Sequence, residues 1–367
     1  MSYTLSWLAL PVAIIAIALL RSRAEALGVL DQPGGRKTHH GAVPAVGGLG
    51  MFAGLLVVSL HGAALDRYGY VILGLAGAML LLGFVDDRND LRPRTRLLGQ
   101  LVAAAALVAL TGYAVPHVGD LLGFGRIGLG PFAAVFTVVA TVAMINAFNM
   151  LDGLDGLAGG CALVTFAGFT QLALGGGAFT LAALGVAVVA VTAGFLCYNL
   201  PLLPTRRWRV FMGDAGSTML GFMIAAFGLV LLQDPGPAVP AALVLWLAPI
   251  PVFELYWTTA RRLRRGLHPA LADDGHWHHA LVRGGLSVRM VFLVYMVFSA
   301  VSAVIGLRLH AAGYAESTLF LGFVALFLCW VALMTLLPRV LAGVAPRSDA
   351  VHRVEPARES VEPPTGR

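Results

Sequence analysis

The feature that most constrains this chain is a series of apolar runs, each about as long as the roughly 17–25 residues a bilayer-spanning helix requires. They cover approximately 4–20, 43–62, 69–85, 97–115, 130–147, 157–174, 178–199, 215–232, 238–257, 288–307 and 317–337. The expected fold is therefore an all-α polytopic membrane protein with about eleven transmembrane helices. Composition agrees: of 367 residues 58% are hydrophobic and only 12% charged, where a soluble domain carries about a quarter. Interior Gly and Pro are frequent, which bilayer helices tolerate better than soluble ones. The first run is followed by Arg21 and Arg23 rather than preceded by basic residues, and no small-residue cleavage site follows it. It reads as a retained helix, not a signal peptide.

Charge supplies the orientation. With eleven spans and the N-terminus outside, every Lys and Arg falls on an inner loop or the tail except Arg67, Arg126 and Arg308. That is a strong positive-inside bias, and it predicts an N-out, C-in topology. The net charge of +6 is no sign of nucleic-acid binding, because the basic residues sit in short loops between apolar runs. Cys161, Cys197 and Cys329 lie inside apolar segments with no metal or redox spacing, and read as packing residues without a disulfide. Residues 1–340 form one transmembrane catalytic domain. Residues 341–367, rich in Pro, Glu, Arg and Ser, have little apolar side chain to bury and are expected to be a disordered cytoplasmic tail.

On this map the acids and histidines collect on the inner side. Charge at a membrane boundary is costly unless solvated, paired or metal-bound, so acids drawn from several inner loops imply one shared polar site. The first cluster is Asp86-Asp87-Arg88-Asn89-Asp90. If the helix continues through it, Asp86 and Asp90 share a face, and a bound Mg2+ would relieve their repulsion. A solvated helix end paired with Arg88 and Arg92 is the plainer alternative. The second, Asn146 to Gly156, repeats two Asn and two Asp (Asn146, Asn149, Asp152, Asp155) three residues apart, with a Gly after each Asp. The glycines allow a sharp turn and close ligand approach. Its plainer alternative is a polar turn between spans.

The third cluster, Phe211-Met212-Gly213-Asp214-Ala215-Gly216-Ser217-Thr218, opens a helix, whose N-terminus offers backbone N–H groups to an anion. Asp214 reads either as a functional carboxylate or as an N-cap. The fourth is the long inner loop with Arg261, Arg262, Arg264 and Arg265, then Asp273-Asp274-Gly275-His276-Trp277-His278-His279. Its cations suit a diphosphate or an anionic head group, and are also an ordinary topology signal. Its histidines suit phosphate better than zinc, since no cysteine lies near. A Gly-rich inner loop adds Arg36, Lys37, His39 and His40, or is simply surface.

In this order, from about Asp31 to Ser287, the segments resemble the polyprenyl-phosphate N-acetylhexosamine-1-phosphate transferases of glycosyltransferase family 4, and most of all their bacterial branch that loads N-acetylglucosamine 1-phosphate onto undecaprenyl phosphate. The sister family of peptidoglycan synthesis, which transfers phospho-MurNAc-pentapeptide, usually has Lys where this chain has Asp90. Two positions depart from close relatives: His268 stands where they tend to have Ser, and Glu254 where they tend to have Asp.

The resemblance implies an Mg2+-dependent enzyme, with Mn2+ as a substitute, in the bacterial inner (plasma) membrane, its site facing the cytoplasm. It would move a sugar 1-phosphate from a UDP-N-acetylhexosamine to undecaprenyl phosphate, releasing UMP, as the first membrane step of O-antigen, polysaccharide or cell-wall glycan synthesis. It also implies the roles. Asp214, with Asp152, would hold the metal. Asp86 or Asp87 would act on the lipid phosphate. Asp155 would join them in catalysis. Asn146 and Asn149 would bind nucleotide or metal, and Asp90 substrate. Arg36, Lys37, His39, His276, His278, His279 and Arg262 or Arg265 would hold phosphates. A homodimer is common among such enzymes. Two other classes fit less well. A secondary transporter would place its acids at midplane and show a repeat. A prenyltransferase would not need the Asn-rich or His-rich segments.

Overall fold

A computed structural model describes residues 5–32, 41–61, 65–203, 208–233, 239–266 and 275–344. Of the tail expected over 341–367, residues 341–344 instead continue the last helix, and residues 345–367 lie outside the described residues, as do Arg36, Lys37, His39, Arg206, Arg207, His268, Asp273 and Asp274. The chain runs through helices α1 (Ala9–Arg21) and α2 (Ala24–Leu27), strands β1 (Leu30–Asp31) and β2 (Val43–Pro44), and helices α3 (Gly47–His61), α4 (Arg67–Asn89), α5 (Pro93–Thr111), α6 (Ala133–Leu151), α7 (Leu157–Gly175), α8 (Phe179–Asn199) and α9 (Gly213–Gln233). It continues through α10 (Ala241–Leu247), α11 (Pro249–Arg264), α12 (Trp277–Arg283), α13 (Val288–Ala311) and α14 (Glu316–Val344).

Each of the eleven apolar runs is helical. Among the described residues, eight helices are long and apolar enough to cross a membrane, and α10 with α11 makes a ninth if that bent pair counts as one span. The remaining two runs form shorter apolar helices. Helix is the expected answer because, away from water, every backbone N–H and C=O must be paired within the segment.

Two departures from the simple pattern have local causes. The run expected over 238–257 is broken at Ala248, and α11 turns 93° from α10. Pro249 and Pro251 open α11, and a proline inside a helix removes a hydrogen bond and clashes with the preceding turn. The run expected from residue 43 begins its helix only at Gly47, because Val43–Pro44 pairs with Leu30–Asp31 as a two-stranded antiparallel ribbon. Of the three cysteines, only Cys161 is packed inside; Cys197 and Cys329 are exposed on the outer surface of the bundle.

Helix α9 is the central post. Its apolar window is 89% buried, against 22% for α14, and α3, α4, α6 and α7 pack around it. Close packing at its first turn depends on two glycines. A Cβ on Gly83 of α4 would collide with the Asp214 carbonyl, and a Cβ on Gly48 of α3 would collide with the Gly216 backbone. At the opposite end of the bundle Glu316 acts as a staple: one carboxylate oxygen accepts the Ala241 N–H at 3.0 Å, the other the Asp120 N–H at 3.0 Å.

The α4–α9 contact gives a direct test. Gly83→Ala should lower the thermal unfolding midpoint in detergent, at a cost of about 1–3 kcal/mol for overpacking. Gly74→Ala on the same helix, with nothing within 4 Å of the new Cβ, should leave the midpoint unchanged or slightly higher. Equal behaviour of the two variants would refute backbone-close packing at Gly83.

Candidate active site

The site forms around the first turn of α9, and the backbone leading into it is held by main-chain pairing. The Phe211 N–H donates to the Pro44 carbonyl (2.8 Å), while the Gly47 and Gly48 N–H groups donate to the carbonyls of Phe211 and Met212 (2.9 and 3.0 Å). Gly213 adopts φ +73°, a left-handed turn suited to glycine, and a side chain there would meet the Asp87 carboxylate.

From α4 comes the Asp86–Asp87 pair, and the two carboxylates have different partners. Asp87 reaches to α9 and accepts the N–H groups of Asp214 (2.8 Å) and Ala215 (3.1 Å), so it caps that helix from outside. Asp86 is buried. It accepts the Leu91 N–H (2.8 Å) and pairs with the Arg96 guanidinium (2.8 Å). Arg96 also lies 3.6 Å from the second oxygen of Asp214. Helix α4 ends at Asn89, and Asp90 leaves it with φ +49° and an exposed side chain. The shared helical face expected for Asp86 and Asp90 is therefore not formed, because the helix stops one residue too soon.

Helix α6 supplies the amides. Asn149 donates to Asp214 Oδ1 (2.7 Å) and to the Ser217 hydroxyl (2.9 Å), which fixes the Asp214 carboxylate. Asn146, one turn earlier, donates instead to Gln100 Oε1 (2.6 Å) and the Val142 carbonyl (2.8 Å), tying α6 to α5. In the loop after α6, Asp155 is ion-paired with Arg209. Gly156 (φ +75°) donates its N–H to Asn199 Oδ1 (2.6 Å), while the Asn199 amide donates to the Val210 carbonyl (2.8 Å). Asn199 thus ties the Asp-rich loop to the strand of chain that feeds α9.

Asp152 lies in that loop. Burial, then the negative charges of Asp214, Asp87 and Asp155, push its carboxyl up to about 8. Such a group keeps its proton at neutral pH unless a cation takes the proton's place. The histidine segment closes over the same loop: a Cβ on Gly153 would lie 2.5 Å from His278 Nε2 and 3.1 Å from His279 Nε2. His276 is stacked parallel on His278, with centroids 5.4 Å apart. Arg262 is buried on the face of α11 that carries Glu254, whereas Arg265 is exposed.

The structure thus brings Asp86, Asp87, Asn149, Asp152, Asp155, Asp214 and the three histidines to one end of the bundle. Asn146 is turned toward Gln100, and Arg36, Lys37 and His39 lie outside the described residues.

The chain is 36% identical over 323 residues to the undecaprenyl-phosphate alpha-N-acetylglucosaminyl 1-phosphate transferase of Haemophilus influenzae, covering 88% of this chain and 91% of that protein. It is 36% identical to the protein of the same name from Yersinia pestis and 33% to that from Escherichia coli K12, each over 78% of both chains. The pattern of glycosyl transferase family 4 matches residues 69–232. The chain belongs to glycosyl transferase family 4.

The family's matched segment holds Asp86, Asp87, Asn149, Asp152, Asp155 and Asp214 but ends before the histidines. The partners that sequence reading left without a role at the site are Gln100, Asn199, Arg96, Arg209 and Tyr295. Arg96 and Arg209 each stand in a run of arginines that marks neither out, while Gln100, Asn199 and Tyr295 are polar residues on an apolar helix. For Gln100, Asn199 and Tyr295 the only sequence signal is a polar group where lipid or packing would favour none.

The Asp86–Arg96 pair can be tested by stability. Arg96→Met leaves a buried carboxylate without its cation and should cost about 1–3 kcal/mol, read as a lower unfolding midpoint in detergent. Adding Asp86→Asn, which keeps an acceptor for the Leu91 N–H, should recover at least half of the loss. An undiminished loss in the double variant would mean that Arg96 stabilises the fold by some other contact.

Proposed function

We propose that this chain is a phosphosugar transferase of the bacterial inner membrane. It moves N-acetylglucosamine 1-phosphate from UDP-N-acetylglucosamine to undecaprenyl phosphate in a Mg2+-dependent reaction at the cytoplasmic face. The observation that carries the reading is the convergence of Asp87, Asn149, Asp152, Asp214 and His278 on the first turn of α9 and the loop beside it. The named relatives act in the way their names state, and the positive-inside distribution supports the cytoplasmic placement. The product would start a lipid-linked glycan such as O-antigen or another cell-envelope polysaccharide. A homodimer, in line with the resemblance, belongs to the same proposal and is measured by light scattering of the purified protein.

The chemistry exchanges one diphosphate for another. An oxygen of the lipid phosphate forms a bond to the sugar-bearing phosphorus of the UDP-sugar. The bond from that phosphorus to the bridging oxygen breaks, and UMP leaves with the electron pair. The lipid phosphate is already largely ionised at neutral pH, so alignment and charge neutralisation matter more than proton removal.

The residues fit a magnesium site. No three His, Cys, Asp or Glu side chains among the described residues form a ready-made cage. Mg2+ commonly takes only one or two carboxylates and completes its shell with water and substrate phosphates. Asp214 and Asp152, with Asp87 close by, would hold it; burial and then the repulsion of neighbouring carboxylates raise Asp152, and a divalent cation would relieve that repulsion. When bound, the ion would neutralise charge on the diphosphate. Asn149 and Arg96 keep the Asp214 carboxylate oriented; Asp87 fixes the start of α9. Asp86, buried against Arg96, has a positional role. Asp155, held by Arg209, sets the loop that carries Asp152.

The test is UMP release by purified protein in detergent with undecaprenyl phosphate, UDP-N-acetylglucosamine and Mg2+. Turnover should vanish with EDTA, return with Mg2+ or Mn2+, and fall at least about 100-fold in Asp214→Ala, or about 2.7 kcal/mol of barrier. UMP only from another UDP-N-acetylhexosamine would change the sugar and keep the chemistry. No UMP from any donor would reject the proposal.

A further inference from the structure

The segment from α11 to α13 contains a buried polar cluster behind the histidines, and the reaction outlined above gives its carboxylate no role. Glu254 is completely buried, on the face of α11 that also carries Thr258 and Arg262 at successive turns. Three groups converge on its carboxylate. The Tyr295 hydroxyl donates to Oε1 at 3.2 Å, His276 Nδ1 lies 3.3 Å from Oε2, and His278 Nδ1 lies 3.6 Å from Oε1. An ionised carboxylate only accepts hydrogen bonds, so Nδ1 of His276 is the protonated nitrogen that faces it, and Nδ1 of His278 faces the same carboxylate across an ion-pair distance. That fixes the two Nε2 atoms on the opposite side. The parallel stacking of the rings follows from sharing one carboxylate.

His278 is also fully buried, and among the described residues neither of its ring nitrogens has a hydrogen-bond partner: Nδ1 has the Glu254 carboxylate at an ion-pair distance of 3.6 Å, and Nε2 has nothing. It rests against Gly153, between Asp152 and Asp155. A buried polar nitrogen without a partner is costly and points to a ligand that completes it. Glu254, walled off by Tyr295 and the two rings, has no surface of its own to offer a substrate.

We propose that Glu254 is a positioning residue. It holds the Nδ1 atoms of His276 and His278 so that Nε2 of His278 is presented at the Asp152–Asp155 loop, where the diphosphate of the nucleotide sugar is bound. The inference rests on the transferase reading above. It adds that donor recognition is set from behind the histidines, by a carboxylate on α11.

The experiment is a double-mutant cycle in the UMP-release assay with full-length protein, varying donor and lipid phosphate separately. Glu254→Gln should raise KM for UDP-N-acetylglucosamine about 10–100-fold, the range seen when a partner orienting a functional histidine is lost, with KM for undecaprenyl phosphate unchanged. Glu254→Asp, which keeps the charge, should restore donor KM to within about fivefold of wild type. In a His278→Ala background the Glu254→Gln change should cost less than about threefold, since residues acting as a unit are not additive. Additive effects in the cycle, or equal changes in both KM values with a matching loss of thermal stability, would reduce Glu254 to a packing residue and overturn the inference while leaving the transferase reading intact. A wild-type protein inactive on every UDP-N-acetylhexosamine would overturn both.

Discussion

The bond on which the site end depends is the capping of α9 by Asp87. A helix that begins inside a bundle leaves its first N–H groups without partners, and here a carboxylate on α4 takes two of them, at Asp214 and Ala215. Negative charge at a helix N-terminus is favourable by about 0.3–1 kcal/mol, more when partly buried. The geometric effect is larger than that energy suggests. One residue defines where α9 starts, how far α4 reaches and therefore where the Asp214 side chain emerges. Asn149 and Arg96 then have a fixed target.

Such an arrangement requires several like charges close together. The protein separates them by giving each a different local partner: Arg96 for Asp86, backbone N–H groups for Asp87, an amide for Asp214 and Arg209 for Asp155. Asp152 is left buried in the summed field of its neighbours, and its weakened acidity records both. Small residues make the crowding possible. Gly83 and Gly48 let helix backbones meet where side chains would hold them apart, and Gly153 leaves room for the imidazoles.

Much of the architecture was legible in the order of apolar runs, because length and hydrophobicity are local properties. All eleven runs contain helix, and the loops assigned to one side do meet at one end. The kink at Pro249 and the short helix Trp277–Arg283 were not anticipated. The first was visible as Pro249 and Pro251 inside an otherwise continuous run, the second hidden in a polar loop. Helix ends were also displaced. Helix α4 carries Asp86 and Asp87 within its last turn instead of ending before them, since the tertiary contact with α9 outweighs their polarity. At the site the Asp- and His-bearing segments were evident from composition. Their partners were not: Asn199, Arg209 and Gln100 act across long sequence separations, which no spacing rule encodes.

Glu316 has a mechanical consequence. Its two oxygens join the start of α10 to the loop at Asp120, at the pole of the bundle away from the aspartates. One side chain therefore fastens three segments far apart in sequence, the loop at Asp120, the start of α10 and the start of α14, as a clasp fastens three straps. None of the three can change length without releasing the other two.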